Sequence, residues 1–453
     1  MKKSIWIPLL VVGALLVIGT SQYPKLSIAT GYGAKCMASG VFVASRAPEN
    51  VKENDLNYSL VKYTTSSINY IDKSVTTSIF GMAKQKAVYR EGFGCCLVGE
   101  PTPSELFSGS SPIKITTESS WKKPWPEGDA KSDTLFPEID SASLQHSIDA
   151  AFDNPETCAK RTAAVIVVYK GKLIAEKYWK EHSITADTKL WGWSMCKSIT
   201  NAMVGVLVKQ GKLSVNAIAP IEEWMNDKRR EITINDLLHM CSGLKWNEDY
   251  GDVSDVTTLL YKERNSYQYA ISFPYEKQPD TEWKYSSATT NILTGIIRKT
   301  INDDKQYFEF PYNEIFRKIG MNSMVLETDA SGNFVGSSYC YGTARDWAKF
   351  GLLYMNDGVW KGDSILPKGW VQYSTTSSKP ANGRYGAQFW LNRSRELPDA
   401  PEDLYTCKGH RGQRIFIIPS KHLIVVRLGF AENKFDHNSF LKGIMDSFGA
   451  PKY

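Results

Sequence analysis

The chain has 453 residues, 42% of them hydrophobic and 23% charged, with a formal net charge of +6 at pH 7. That length exceeds one ordinary domain and the apolar content excludes a disordered chain. The charge is small for the length and its only dense basic block is Lys228-Arg229-Arg230, which reads as solvated surface, so nucleic acid is excluded as an expected partner.

Met1-Lys2-Lys3 and the apolar run from Ile5 to Gly19 have the shape of a signal peptide or short membrane anchor over residues 1–22. Fifteen residues rise about 22 Å, short of the roughly 30 Å hydrocarbon core, which favours the signal peptide. Export to a periplasmic or extracellular location is expected, with release or an N-terminal membrane tether left open. Residues 23–100 read as a strand-rich extension, on segments such as Gly40-Val41-Phe42-Val43, Ser67 to Ile71 and Gly94 to Val98. Residues 101–140, rich in Pro and Ser, read as a linker. Eight cysteines in an exported chain make disulfides plausible, and a bridge from Cys36 to Cys95 or Cys96 is expected. The six histidines are scattered and no Cys-x-x-Cys occurs, so neither a metal nor a cofactor is expected.

From residue 141 to 453 the pattern becomes that of a mixed domain. Leu144, Ile148 and Phe152 predict a helix; Ala163 to Tyr169 and Leu173 to Tyr178 predict a hairpin turning at Lys170-Gly171-Lys172. A second strand pair, Arg414 to Ile418 and Leu423 to Leu428, and a helix from about Asn438 to Phe448 close the chain. Strands at both ends with helices between them imply an α/β domain assembled from both termini around a helical insert.

Within that insert Ser194-Met195-Cys196-Lys197 precedes the helical spacing of Ile199, Met203, Val206 and Leu207, which stops at Gly211. Residues three apart on a helix share a face, so Lys197 can reach the Ser194 hydroxyl locally. Unpaired N–H groups and the dipole at a helix N-terminus favour a developing oxyanion and disfavour a proton on a nearby amine, the state an amine needs to act as base. Ser-x-x-Lys also occurs at Ser59, Ser111, Ser119, Ser120, Ser242 and Ser439, so the spacing acquires meaning only from its context. Cys196, beside the pair, reads as a packing thiol.

The context is a second and a third motif in order: Tyr285-Ser286-Ser287, followed by the helix-like Asn291-Ile292-Leu293, and then His410-Arg411-Gly412. With Ile232 to Leu238 leading to Ser242-Gly243-Leu244, and Gly342 to Asp346 leading to Gly351-Leu352-Leu353, residues 135–453 resemble the serine β-lactamase superfamily. The likeness is to its class C β-lactamase, D,D-peptidase and family VIII esterase branch, and within it to 6-aminohexanoate-dimer hydrolase-like members. It implies a β-lactamase/transpeptidase-like α+β fold: an antiparallel sheet flanked by helices, a mostly helical subdomain, and Ser194 at the cleft between them. It further implies Ser194 as nucleophile, Lys197 and Tyr285 sharing the proton work, and an oxyanion site from the backbone N–H groups of Ser194 and Gln413, with Ser287, His410 and Gly412 around the substrate. Gly412 lets a strand edge approach the substrate closely.

Two departures from the family pattern bear on substrate. His410 replaces the lysine of Lys-Thr-Gly, and a mostly neutral imidazole is a poor partner for the carboxylate of a penicillin or a D-Ala-D-Ala peptide. Ser287 replaces an asparagine and removes an amide donor. Arg411 or, by strand alternation, Arg414 would have to restore the charge. The expected activity is therefore hydrolysis of a small-molecule amide or ester through an acyl-enzyme, against a D,D-peptidase or class C-type β-lactamase and against a non-catalytic, membrane-tethered binding protein. Trp191, Trp193, Trp283 and Trp390 are candidates to line an apolar pocket. Gly192-Trp193-Ser194-Met195-Cys196 also approaches the Gly-x-Ser-x-Gly elbow of α/β-hydrolases, but lacks its last glycine.

Overall fold

A computed structural model describes residues 6–98, 124–128, 134, 136–154, 159–431 and 435–449. Most of the linker expected over 101–140 lies outside them.

The chain opens with one helix, α1 (Trp6–Ala38), which takes in the apolar N-terminal run and continues into the body of the protein. Nearly every residue of α1 from Ser27 onward is buried. An antiparallel meander packs along it: β1 (Thr64–Asn69), β2 (Ser74–Ile79), β3 (Met82–Arg90) and β4 (Gly94–Val98). The extension is thus helical up to Tyr63 and strand-rich only beyond it, a correction to the expectation for 23–100. Gly40 to Val43 form a π-helical turn at the end of α1; four apolar residues carry no period that separates helix from strand. No helix among the described residues is long and apolar enough to cross a membrane.

The extension is keyed into the rest of the chain by a buried ion pair. Lys35 Nζ donates to Glu327 Oε2 at 2.5 Å and to Ser39 Oγ at 2.8 Å, while Ser39 Oγ and the Cys95 N–H donate to Glu327 Oε1 at 2.8 and 2.7 Å. Both charged side chains are fully buried, so each depends on the other. Cys36, Cys95 and Cys96 are free buried thiols, and the expected bridge does not form. Cys36 has Asp55, Arg411, Arg46 and Lys35 as charged neighbours and Cys95 has Glu327 and Lys35, so the two thiols share Lys35 but otherwise face different groups.

The second body is built from both ends of the remaining chain. Its sheet takes β5 (Thr162–Tyr169) and β6 (Lys172–Tyr178) from one end, and β7 (Trp390–Leu391), β8 (Tyr405–Gly409), β9 (Gln413–Ile418) and β10 (Leu423–Gly429) from the other. The order is β7-β8-β9-β10-β5-β6, antiparallel throughout, which removes the parallel-sheet α/β-hydrolase reading. Both predicted hairpins are present. Helix α2 (Ser141–Ala150) lies next to the terminal helix α6 (His437–Asp446), and α5 (Ala344–Met355) covers β5, β9 and β10. Between the two groups of strands the chain runs through short helices and two longer ones, α3 (Cys196–Lys209) and α4 (Ser287–Ile301), which pack on each other. Residues Cys196 to Leu207 of α3 are buried without interruption, the mark of a helix enclosed on all sides.

Candidate active site

Ser194 stands in a 3₁₀ turn, Trp193–Met195, that runs directly into α3. Trp193 enters that turn with φ +51°, a sparsely populated conformation for an aromatic residue and of the kind stored at functional turns. The turn is held from outside by β8: a Cβ on Gly409 would lie 2.4 Å from the Gly192 carbonyl oxygen, so only glycine lets this strand end reach the nucleophile turn.

Lys197 is buried and has three partners. Its Nζ lies 3.2 Å from Ser194 Oγ, 3.1 Å from Ser287 Oγ and 3.0 Å from the Ser337 carbonyl oxygen. A carbonyl can only accept. Ser287 has already committed its proton, since its hydroxyl donates to Glu248 Oε1 at 2.6 Å, so its oxygen also accepts from Lys197. A neutral amine has two N–H bonds and one lone pair. Lys197 Nζ is placed to donate to Ser194 Oγ; in the neutral form, with both N–H bonds taken by Ser337 and Ser287, its lone pair would be left for Ser194, the arrangement a base for that hydroxyl requires.

Tyr285 joins the cluster through its ring, with Lys197 Nζ 4.8 Å from the centroid. Trp390 and Tyr385 hold that ring at centroid distances of 5.3 and 5.9 Å, and Trp283 packs beside both. Of the four tryptophans, Trp283 and Trp390 therefore support the tyrosine. Trp191 stacks on Trp193 at 3.7 Å and donates to the Ser338 carbonyl in the core, leaving Trp193 to face the cleft.

His410, Arg411 and Gly412 form the tight turn between β8 and β9, a correction to their expected place on a strand. Arg411 adopts φ +60°, which breaks the alternation used to choose between the arginines. Its guanidinium turns into the extension, donating to the Asn54 carbonyl at 2.9 Å and lying 4.4 Å from the Tyr58 ring centroid. Arg414 spends Nη1 on the carbonyls of Gly409 and Gln413, at 3.0 and 2.8 Å. Gly412 has a φ of +80° and a Cβ there would lie 2.4 Å from Arg427 Nη1, so backbone and packing already require glycine; the close approach to the nucleophile turn belongs to Gly409. Gln413 exchanges side-chain hydrogen bonds with the backbone of Gly429, at 2.5 and 2.9 Å, and its own N–H donates to the His410 carbonyl across the turn, so the oxyanion donor expected of it is already engaged. His410 meets Trp193 edge-on at 5.3 Å and stacks on Tyr250 at 6.2 Å. Desolvation first and the neighbouring Arg411 second push its imidazole below the ordinary histidine value; its open edge limits the first effect, and both keep it neutral at pH 7.

Two residues of the cluster had no signal in the sequence beyond lying a few positions after Ser242-Gly243-Leu244. Glu248 accepts from the Ser287 N–H at 2.8 Å, the Ser287 hydroxyl at 2.6 Å, the Tyr250 hydroxyl at 2.8 Å and Trp246 Nε1. Tyr250 leaves part of its ring exposed but turns its hydroxyl inward, 3.4 Å from Ser287 Oγ. Cys196 is buried beside Cys340, as a packing thiol would be. Among the described residues no group of three or more His, Cys, Asp or Glu side chains could hold a metal.

An antiparallel sheet assembled from both chain ends, with a serine and lysine one turn apart at the mouth of an enclosed helix, defines the serine-reactive acyl-transfer class. Residues 148–434 match the family model described as Beta-lactamase, and the chain belongs to that family, as a serine hydrolase of the β-lactamase superfamily. It is 22% identical over 302 residues to the 6-aminohexanoate-dimer hydrolase of Paenarthrobacter ureafaciens, covering 60% of this chain and 73% of that one. A family VIII carboxylesterase superposes with a TM-score of 0.54 at 15% identity, covering 70% of this chain and 98% of that one. A penicillin-binding protein homologue from Caulobacter crescentus gives 0.54 at 13% identity, covering 68% and 97%. These structural likenesses define the fold.

Proposed function

We propose that the chain is an exported hydrolase of small amides or esters, working through an acyl-enzyme on Ser194. The observation that carries this is the set of contacts at Lys197 Nζ, 3.2 Å from Ser194 Oγ, 3.1 Å from Ser287 Oγ and 3.0 Å from the Ser337 carbonyl oxygen: an amine without its third proton can keep the last two as donor and take the Ser194 proton on its lone pair. The Ser194 proton passes to Lys197 as Oγ bonds to the substrate carbonyl carbon; the carbon–heteroatom bond then breaks and the leaving group takes a proton from the cluster. Water attacks the ester so formed and restores Ser194. Tyr285, against the lysine, is the second proton carrier, and the backbone N–H of Ser194 receives the oxyanion; the Gln413 N–H could join it only by releasing the His410 carbonyl.

Export rests on the apolar segment at residues 5–19. The preference for an uncharged substrate rests on the neutral His410 and on the hydrogen bonds that occupy Arg411 and Arg414. The relationship to a 6-aminohexanoate-dimer hydrolase supports an amide or ester over a penicillin.

The test is a panel of p-nitrophenyl esters, nitrocefin, D-Ala-D-Ala peptides and linear amide dimers, run on the wild type and Ser194→Ala beside fluorophosphonate labelling. Turnover and labelling confined to the wild type are expected. Steady nitrocefin hydrolysis would overturn the substrate preference, and labelling retained by Ser194→Ala would overturn the nucleophile.

A further inference from the structure

We propose that the space between the N-terminal extension and the nucleophile turn is a binding pocket for an uncharged aromatic or aliphatic group of the substrate, with its selectivity set by the extension. In its catalytic sense this rests on Ser194 as nucleophile.

The pocket has a cavity volume of about 150 Å³, room for one small apolar group of a substrate, about the size of a cavity that takes up benzene. It lies beside the catalytic cluster: Ser194 itself does not line it, but its neighbour Trp193 does, and so does Tyr250, whose hydroxyl lies 3.4 Å from Ser287 Oγ. The far wall comes from Ile28, Ala29 and Tyr32 of α1 and from residues 58–61, all outside the part of the chain that matches the family. Tyr32 lies parallel to Trp193 at 5.9 Å and meets Tyr261 and Tyr58 edge-on at 5.3 and 5.7 Å, an aromatic box built across both bodies. The Lys35–Glu327 pair a turn along α1 fixes that wall in place.

The charges decide the ligand class. Lys25 is paired with Asp252 at 3.0 Å, and both remain partly exposed. His410 is neutral at pH 7. Burial, as the leading cause, raises the phenols of Tyr32 and Tyr261 well above the ordinary tyrosine value, so they too are neutral. Arg411 lies against the Tyr58 ring with its guanidinium bound to Asn54. A carboxylate entering the box would lose its water and meet among the lining side chains only one lysine, Lys25, already paired with Asp252, whereas an apolar group would gain by leaving water.

Two filling variants test this: Ile28→Trp on the half-buried wall, and Val253→Trp at the rim, where Val253 is 37% exposed and a larger side chain is compatible with folding. Two substrate series are compared, p-nitrophenyl esters from acetyl to octanoyl and phenylacetyl, and acetate esters of small to bulky alcohols. The expected result is a wild-type preference for the bulkier neutral member in at least one series, reduced about tenfold in kcat/KM ratio by each filler, the loss lying mainly in KM. A direct readout uses the neutral fluorophore N-phenyl-1-naphthylamine on Ser194→Ala, with each filler raising Kd about tenfold. Unchanged ratios in both series, or unchanged probe Kd in both fillers, would overturn the pocket while leaving Ser194 untouched; failure of the nucleophile appears separately, as loss of fluorophosphonate labelling in the wild type.

Discussion

Glu248→Gln isolates the role of the carboxylate behind the catalytic pair. Its two oxygens accept four hydrogen bonds, from the Ser287 N–H, the Ser287 hydroxyl, the Tyr250 hydroxyl and Trp246 Nε1. A glutamine of the same shape offers one acceptor oxygen, so two of those donors would face an N–H₂ group. A hydrogen bond to a charged group contributes about 1.5–3 kcal/mol. Glu248 is only half-buried, so water recovers part of the loss and a net cost of roughly 2 kcal/mol remains. The cost falls on the reaction because Ser287 can then turn its proton toward Lys197, and the amine must give up either that contact or its lone pair on Ser194. Roughly 2 kcal/mol on the barrier is about a 30-fold slower acylation. Stopped-flow measurement of the p-nitrophenol burst reads this rate directly, and the rate of fluorophosphonate labelling reads it without a substrate. An acylation rate within about twofold of wild type in Glu248→Gln, alongside a slowed Ser287→Ala, would refute the idea that the carboxylate sets the direction of the Ser287 proton.

Three further outcomes follow from the same structure. Lys35→Met leaves the Glu327 carboxylate buried without its cation, a loss of about 3–5 kcal/mol that calorimetry should record as a lower Tm, partly recovered by adding Glu327→Leu. His410→Lys restores a cation at the third motif, so KM for a p-nitrophenyl hemisuccinate should fall about tenfold relative to the neutral acetate; an unchanged ratio would remove His410 from substrate discrimination. His437 is held below the ordinary histidine value by burial first and then by Arg414, Arg427 and Lys408. The unfolded chain binds a proton there near pH ~6.5 and the folded one does not, so stability is full above that pH and declines as the pH falls, by roughly 2 kcal/mol at pH 5. A flatter Tm-against-pH curve for His437→Gln checks this.

The parts of the site legible in the sequence are those whose geometry is local. Ser194 and Lys197 are neighbours because they stand three positions apart on one turn, and the hairpins at 162–178 and 413–429 read as alternating runs on either side of a turn. Glu248 approaches Ser287 across 39 positions and Lys35 meets Glu327 across 292, and no periodicity reports such pairs. The turn at His410-Arg411-Gly412 was hidden for a different reason: alternation assumes extended backbone, and two successive residues of positive φ, Arg411 and Gly412, break it and send the Arg411 side chain into the extension instead of the cleft.

The extension shows the same division at a larger scale. Its apolar start is plain in the sequence, yet its use as a wall depends on which face of α1 meets Trp193, a matter of packing between distant segments. The first of the pocket-lining residues is Lys25, and the small residues suited to signal cleavage are Gly19, Thr20 and Ser21. Removal of an export signal at that point would leave Ile28, Ala29, Tyr32 and the Lys35–Glu327 anchor in place. An export signal ending there and a complete pocket would therefore be compatible on one helix, so the two proposals do not compete for the same residues.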